Sequence, residues 1–215
     1  MGKGVITIRH LGDVTKINGA EIEKVDVITF GAPCQDLSVA GKRKGMKHEG
    51  LGDDETTRSG LFYEAIRIIK EMRDDDRRRN NRTGEFIRPR YAVYENVPGA
   101  LSSNKGEDFR CVLEETAKIV QEDAVIPEPP KGGWSYSGAV MGDGWSIAWR
   151  IHDAQFWGVP QRRKRIALVA DFGGGSAPEI LFVRKGLSRD TEQSVKEGEG
   201  TSEDSEGCFG EPGEE

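Results

Sequence analysis

Cys34 lies in the segment Gly31-Ala32-Pro33-Cys34-Gln35-Asp36-Leu37-Ser38, directly after the apolar run Val25 to Phe30. A thiol on a proline-led turn at the carboxyl end of a buried strand projects past the sheet, where α/β enzymes place a nucleophile. Glu95 follows a second apolar run, Tyr91 to Tyr94, and the turn Asn96-Val97-Pro98-Gly99 behind it keeps the carboxylate on the same rim. The cluster Gln161-Arg162-Arg163-Lys164-Arg165 leads into a third run, Ile166 to Ala170. Strand alternation sends Arg163 and Arg165 to one side and Lys164 to the other. A nucleophile, an acid and two guanidiniums on one rim suit an anionic or carbonyl-rich substrate.

Those side chains need elements to hold them. The runs 25–30, 91–94, 145–151 and 165–170 read as strands, with a short further strand at Val5 to Ile8. Leu61, Phe62, Ala65, Ile66, Ile69 and Met72 recur at helical spacing and predict a helix over 60–73; Phe109, Val112, Leu113 and Ala117 predict another over 107–122. Asp74 to Arg82 reads as a charged turn, the polar stretch 36–58 as a long loop that closes over a substrate, and Gly173-Gly174-Gly175 as linker. Alternating strands and helices imply a mainly parallel sheet.

The composition allows one domain with a core: 215 residues, 35% hydrophobic and 32% charged. The net charge of −6 is segregated, because residues 186–215 hold ten acidic and two basic side chains and leave residues 1–185 at +2. A mildly basic body carrying an acidic, disorder-type tail is compatible with a nucleic-acid substrate. The domain reading is therefore a catalytic core over 1–185 and a tail over 186–215. Three cysteines and three histidines, scattered without ligand spacing, argue for neither a zinc site nor a disulfide framework. With no apolar span or signal-peptide core either, the expected setting is the reducing cytoplasm, with no membrane and no metal.

In order along the chain, five blocks together resemble the DNA (cytosine-5)-methyltransferases. They are Gly12-Asp13-Val14, Val25 to Gly45 with Pro-Cys-Gln at its heart, Arg58 to Glu64, Glu95-Asn96-Val97, and Trp145 through Arg165. The resemblance implies a partial Rossmann-like, S-adenosylmethionine-dependent methyltransferase fold. It implies that Cys34 adds to carbon 6 of a cytosine, that Glu95 bonds the ring nitrogen and amine, and that Arg163 or Arg165 holds the base O2. Asp13, Pro33 and Leu61 would meet the adenosine part of S-adenosyl-L-methionine. The base must leave the duplex to be reached. Ser38 would belong to the segment closing over it, and Lys42, Arg43 and Lys44 would contact phosphates of double-stranded DNA.

The chain departs from the family pattern in lacking, before Asp13, the Phe-x-Gly-x-Gly cofactor loop, and in having only 171–185 where a target-recognition region is expected. On this reading it is truncated at both ends, its first strands and recognition domain missing. An N-terminal half supplied by a second chain is the partner that would restore the cofactor site. Two other readings stand beside it: an RNA (tRNA) cytosine methyltransferase sharing the same motifs, and a non-catalytic remnant that binds nucleic acid through its basic loop.

Overall fold

The structure, a computed structural model, describes residues 8–32, 60–80, 86–158 and 160–182. The expected strand at Val5 to Ile8 and the loop 36–58 fall mainly or wholly outside these residues, as does the acidic tail.

Five strands form one sheet: β1 (Val27–Phe30), β2 (Tyr91–Asn96), β3 (Ser137–Gly142), β4 (Trp145–Asp153) and β5 (Lys164–Asp171), in spatial order β1-β2-β5-β4-β3. Three helices accompany them: α1 (Gly60–Asn80), α2 (Glu107–Ala117) and α3 (Ala177–Leu181). The α/β class and single sheet match the sequence reading, but the pairing corrects it. Only β1–β2 is parallel; β2–β5, β5–β4 and β4–β3 are antiparallel. Parallel neighbours need a long crossover, which α1 supplies between β1 and β2. Among the described residues no α-helix separates β3 from β4 or β4 from β5; only the one-turn 3-10 helix Ala154–Trp157 lies between the last two. Asp143-Gly144 closes β3 onto β4 as a two-residue hairpin, with Gly144 at φ +72. That pair is a hairpin signal, and strand β3 goes unread without it.

Period-two alternation sorts the sheet into two faces. Ala92 and Tyr94 of β2, Ile147 and Trp149 of β4, and Ile166, Leu168 and Ala170 of β5 join Phe62, Ile66 and Ile69 of α1 and Phe109, Val112 and Leu113 of α2 in the main core. On the other face Ala148 and Val169 pack with Ala177 and Leu181 of α3. Rings interlock at two points, Phe30–Phe62–Tyr94 and Phe109–Trp134–Trp149, with centroids 5.3–6.3 Å apart. Each such buried side chain contributes about 1.5–3 kcal/mol of transfer free energy.

The expected turn at Asp74 to Arg82 is instead helix as far as Asn80. The inward stripe of α1 continues as charged residues that find partners. Arg73 donates to the carbonyls of Ile87, Pro89 and Phe172; buried Asp76 accepts from the Arg88 amide and guanidinium; Asp75 pairs with Lys24 and Arg79. Arg77, Arg78 and Arg79 in the last turn also suit the negative end of the helix dipole. α2 is shorter than expected, ending at Ala117. Gly173-Gly174-Gly175 is no linker: Asp171 accepts from the Gly173 amide and from the amide and hydroxyl of Ser176, folding the chain into α3.

Candidate active site

The pairing directions decide what meets at the sheet rim. Because β1 and β2 are parallel with Phe30 opposite Tyr94, their carboxyl ends lie side by side. Because β5 runs antiparallel to β2 with Ile166 opposite Asn96, its beginning lies at that same end, and so does the end of β4, with His152 opposite Arg165.

At this rim the Arg165 guanidinium meets Glu95, Nε to Oε1 at 2.8 Å. The Glu95 side chain is 52% exposed and that of Arg165 33% exposed, so the pair faces solvent rather than the core. Gly31 closes on Glu95 from the β1 side. A Cβ built there would lie 3.3 Å from Glu95 Oε2 and 3.4 Å from its carbonyl oxygen. The chain that leads into Pro33 and Cys34 therefore starts beside the carboxylate.

That start is pinned by two residues the sequence reading did not single out. Ala32 is buried, and its carbonyl accepts from the Tyr94 hydroxyl at 2.9 Å and from Asn96 Nδ2 at 3.0 Å. Asn96 Nδ2 also reaches the Tyr94 hydroxyl, and Asn96 Oδ1 accepts from the Val97 amide at 2.7 Å. Alternation sends Tyr94 and Asn96 into the main core and leaves Glu95 between them on the opposite face. The signal was present, since any polar residue flanking Glu95 at strand spacing must turn inward and needs a partner there.

The loop from β4 to β5 forms the other wall. Asp153 accepts from the Gln155 amide and side chain and from the Arg163 amide at 3.0 Å, while the Ala154 amide donates to the Arg163 carbonyl. So tied, the loop projects Phe156 and Trp157 outward. His152, Ala154, Trp157, Arg163 and Arg165 line a cleft of about 430 Å³ next to Glu95. Burial and the nearby Arg150 push the His152 imidazole below its ordinary pKa, which favours the neutral ring.

Asp13 caps a short 3-10 turn, Val14–Lys16, its Oδ1 accepting from the amide and hydroxyl of Thr15. These hydrogen bonds hold its carboxyl below the usual carboxylate range. Arg67 of α1 donates to the carbonyls of Val14 and Ile17, strapping this segment to the helix whose first turn exposes Leu61. Asp13 and Leu61 thus belong to one flank, β1 and α1. Pro33, Cys34, Ser38, Lys42, Arg43 and Lys44 lie outside the described residues. Cys111, by contrast, is half-buried, with its sulfur 3.3 Å from the Tyr63 hydroxyl, and burial raises its thiol pKa. Such a thiol is a poor nucleophile. Among the described residues no three His, Cys, Asp or Glu side chains gather as a metal site, and no helix is long and apolar enough to cross a membrane.

Residues 6–119, more than half of the chain, match the model of the C-5 cytosine-specific DNA methylase family. The chain is 34% identical over 207 residues to the DNA N-6-adenine-methyltransferase of Escherichia phage P1, covering 85% of this chain and 25% of that protein. It is 30% identical over 158 residues to the Type II methyltransferase M.BsuFI of Bacillus subtilis, covering 74% of this chain and 27% of that one. It thus spans about a quarter of the length of these curated relatives. The S. pombe Dnmt2 methyltransferase structure aligns over 84% of this chain and 43% of its own, at 14% identity and a TM-score of 0.43.

Proposed function

The chain belongs to the C-5 cytosine-specific DNA methylase family, and from that premise we propose that it carries the cytosine-handling centre of a DNA (cytosine-5)-methyltransferase. The observation that carries the reading is the Glu95–Arg165 pair, 2.8 Å apart, with Gly31, three residues before Cys34 in the sequence, against the carboxylate.

Carbon 5 of cytosine is too weak a nucleophile to take a methyl group unaided. Addition of the Cys34 thiolate to carbon 6 forms a sulfur–carbon bond and makes carbon 5 nucleophilic. Glu95 holds the ring nitrogen and exocyclic amine and meets the charge that builds there. Arg165 orients Glu95 and, with Arg163, offers donors to the base O2. After transfer a water molecule takes the carbon-5 proton, and the electron pair released re-forms the 5,6 double bond and expels the Cys34 thiolate. A flipped base is required, since none of these groups reaches inside a duplex. Ser38, Lys42, Arg43 and Lys44 supply the closing segment and its phosphate contacts.

S-adenosyl-L-methionine supplies the methyl group when bound. Asp13 and Leu61 fit its adenosine end, one as a carboxylate with Oδ1 occupied by Thr15 on an exposed turn and the other as an apolar side chain on the adjoining helix. Pro33 completes that contact. β1 has one strand neighbour among the described residues; a second chain carrying a glycine-rich cofactor loop is the partner this reading adds. The reducing cytoplasm is the fitting setting, where the thiol stays free.

The phage P1 relative is named for adenine, which raises a second reading. An exocyclic amine is itself the nucleophile, so adenine transfer needs no thiol adduct. The Cys34 turn favours cytosine. The test is transfer of labelled methyl groups from S-adenosyl-L-methionine to unmethylated DNA, followed by digestion to nucleosides. Label in 5-methylcytosine that disappears with Cys34→Ser is expected. Label in N6-methyladenine would replace the cytosine reading, and no label from folded protein would remove the activity.

A further inference from the structure

Resting on the DNA methyltransferase reading above, we propose that the cleft between Trp157, His152 and Arg163 seats the DNA nucleotide beside the extruded cytosine, its base on the indole and its phosphate on Arg163. The cleft adjoins the groups that hold the target base and shares both Arg163 and Arg165 with them, while His152 and Trp157 extend it beyond them.

Four observations carry this. First, Trp157 is 63% exposed and Phe156 72% exposed, although both stand on a loop whose base is fastened by Asp153 through three hydrogen bonds. An indole held outward on a rigid base has its face free for a planar partner. Second, the His152 ring meets Trp157 edge to face at 5.5 Å and 65°, fixing the indole plane from one side. Third, the Arg163 guanidinium makes no hydrogen bond or ion pair among the described residues, whereas its backbone amide is tied to Asp153. Five donors thus stand at the cleft mouth, on an anchored stem. Fourth, His152, Ala154, Trp157, Arg163 and Arg165 together line an open, shallow depression of about 430 Å³, mostly apolar and accessible from solvent. An aromatic wall beside a free guanidinium is the chemistry of single-nucleotide binding, in which stacking takes the base and the cation takes the phosphate. Removing a base from the stack exposes the face of its neighbour, and this wall would cover it.

Tryptophan emission supplies a direct readout. Trp145 and Trp149 are buried, at 5% and 3% exposure, and Trp134 is half-buried with its indole donating to the Gly106 carbonyl. The red-shifted component of the full chain's emission is therefore expected to come mainly from Trp157, the most exposed of the four. Titration with a cytosine-containing DNA oligonucleotide is expected to quench that component. Trp157→Phe should bind nearly as well without the quench. Trp157→Ala should bind about 5- to 100-fold more weakly. Arg163→Gln should lower the slope of log affinity against log salt by about 1. Trp157 lies outside the core, and far-UV circular dichroism checks that its variants fold.

DNA binding with unchanged emission and an unaffected Trp157→Ala variant would overturn the cleft assignment while leaving the methyltransferase reading intact. An RNA of the same sequence binding and quenching more tightly would overturn the assignment to DNA. If the wild-type chain bound neither, the cleft and the nucleic-acid reading would fall together, and the methyl-transfer assay would show the second failure independently.

Discussion

On the proposed reading, Glu95 can serve the chemistry because its neighbours in sequence serve the fold. Tyr94 and Asn96 turn into the core and seize the Ala32 carbonyl, so the carboxylate between them is held at the rim without being buried. Glu95→Gln preserves shape and removes the charge. It is expected to slow methyl transfer about 10²- to 10⁴-fold, measured as single-turnover rate, with the urea midpoint nearly unchanged. Asn96→Ala acts differently, taking one donor from a buried carbonyl and one acceptor from the Val97 amide. A loss of about 1–3 kcal/mol in urea unfolding is expected. Because Tyr94 shares the Ala32 carbonyl, the Tyr94→Phe, Asn96→Ala double variant should deviate from additivity in a double-mutant cycle.

Among the elements, β5 depends most on its last residue. Burial of Asp171 would raise its pKa, but the Arg90 guanidinium, the Ser176 hydroxyl and the Gly173 and Ser176 amides outweigh that and hold the carboxyl below its ordinary value. A carboxylate with a depressed folded-state pKa stabilises the fold fully above the ordinary carboxylate range. That contribution is lost as pH falls through the lowered value. Wild-type stability should therefore drop on acidification below about pH 4 more steeply than that of Asp171→Asn, compared by urea midpoints across pH. At neutral pH, Asp171→Ala leaves Arg90 without its carboxylate and should cost about 3 kcal/mol. The β3–β4 hairpin has its own constraint. A methyl at Gly138 would overlap the Trp149 indole, and one at Gly142 the Trp145 indole. Gly138→Ala is expected to destabilise by about 1–3 kcal/mol through overpacking, measured by thermal or urea unfolding.

At the scale of the whole molecule, charge is divided: residues 1–185 carry a net +2 and residues 186–215 a net −8, within a total of −6. On the DNA reading, the net −8 of residues 186–215 repels the phosphates of DNA. Deleting 186–215 should raise DNA affinity at low salt, with the difference shrinking toward physiological ionic strength as screening grows. Helix and strand periodicity alone placed α1, α2, β1, β2, β4 and β5, because apolar spacing reports which face must leave water. Motif order alone assigned Glu95 and Arg165 to one functional block each. Three things were legible only in the fold. Charged residues extend α1 to Asn80, because Arg73, Asp75 and Asp76 meet partners up to 99 residues distant in sequence. Three of four strand pairings are antiparallel, because β5 inserts between β2 and β4. That insertion turns the shared rim expected from the sequence into a direct Arg165–Glu95 pair and opens the Trp157 cleft beside it. Local patterning states what each segment buries, whereas which buried segments become neighbours depends on hydrogen-bond pairing between residues far apart in sequence.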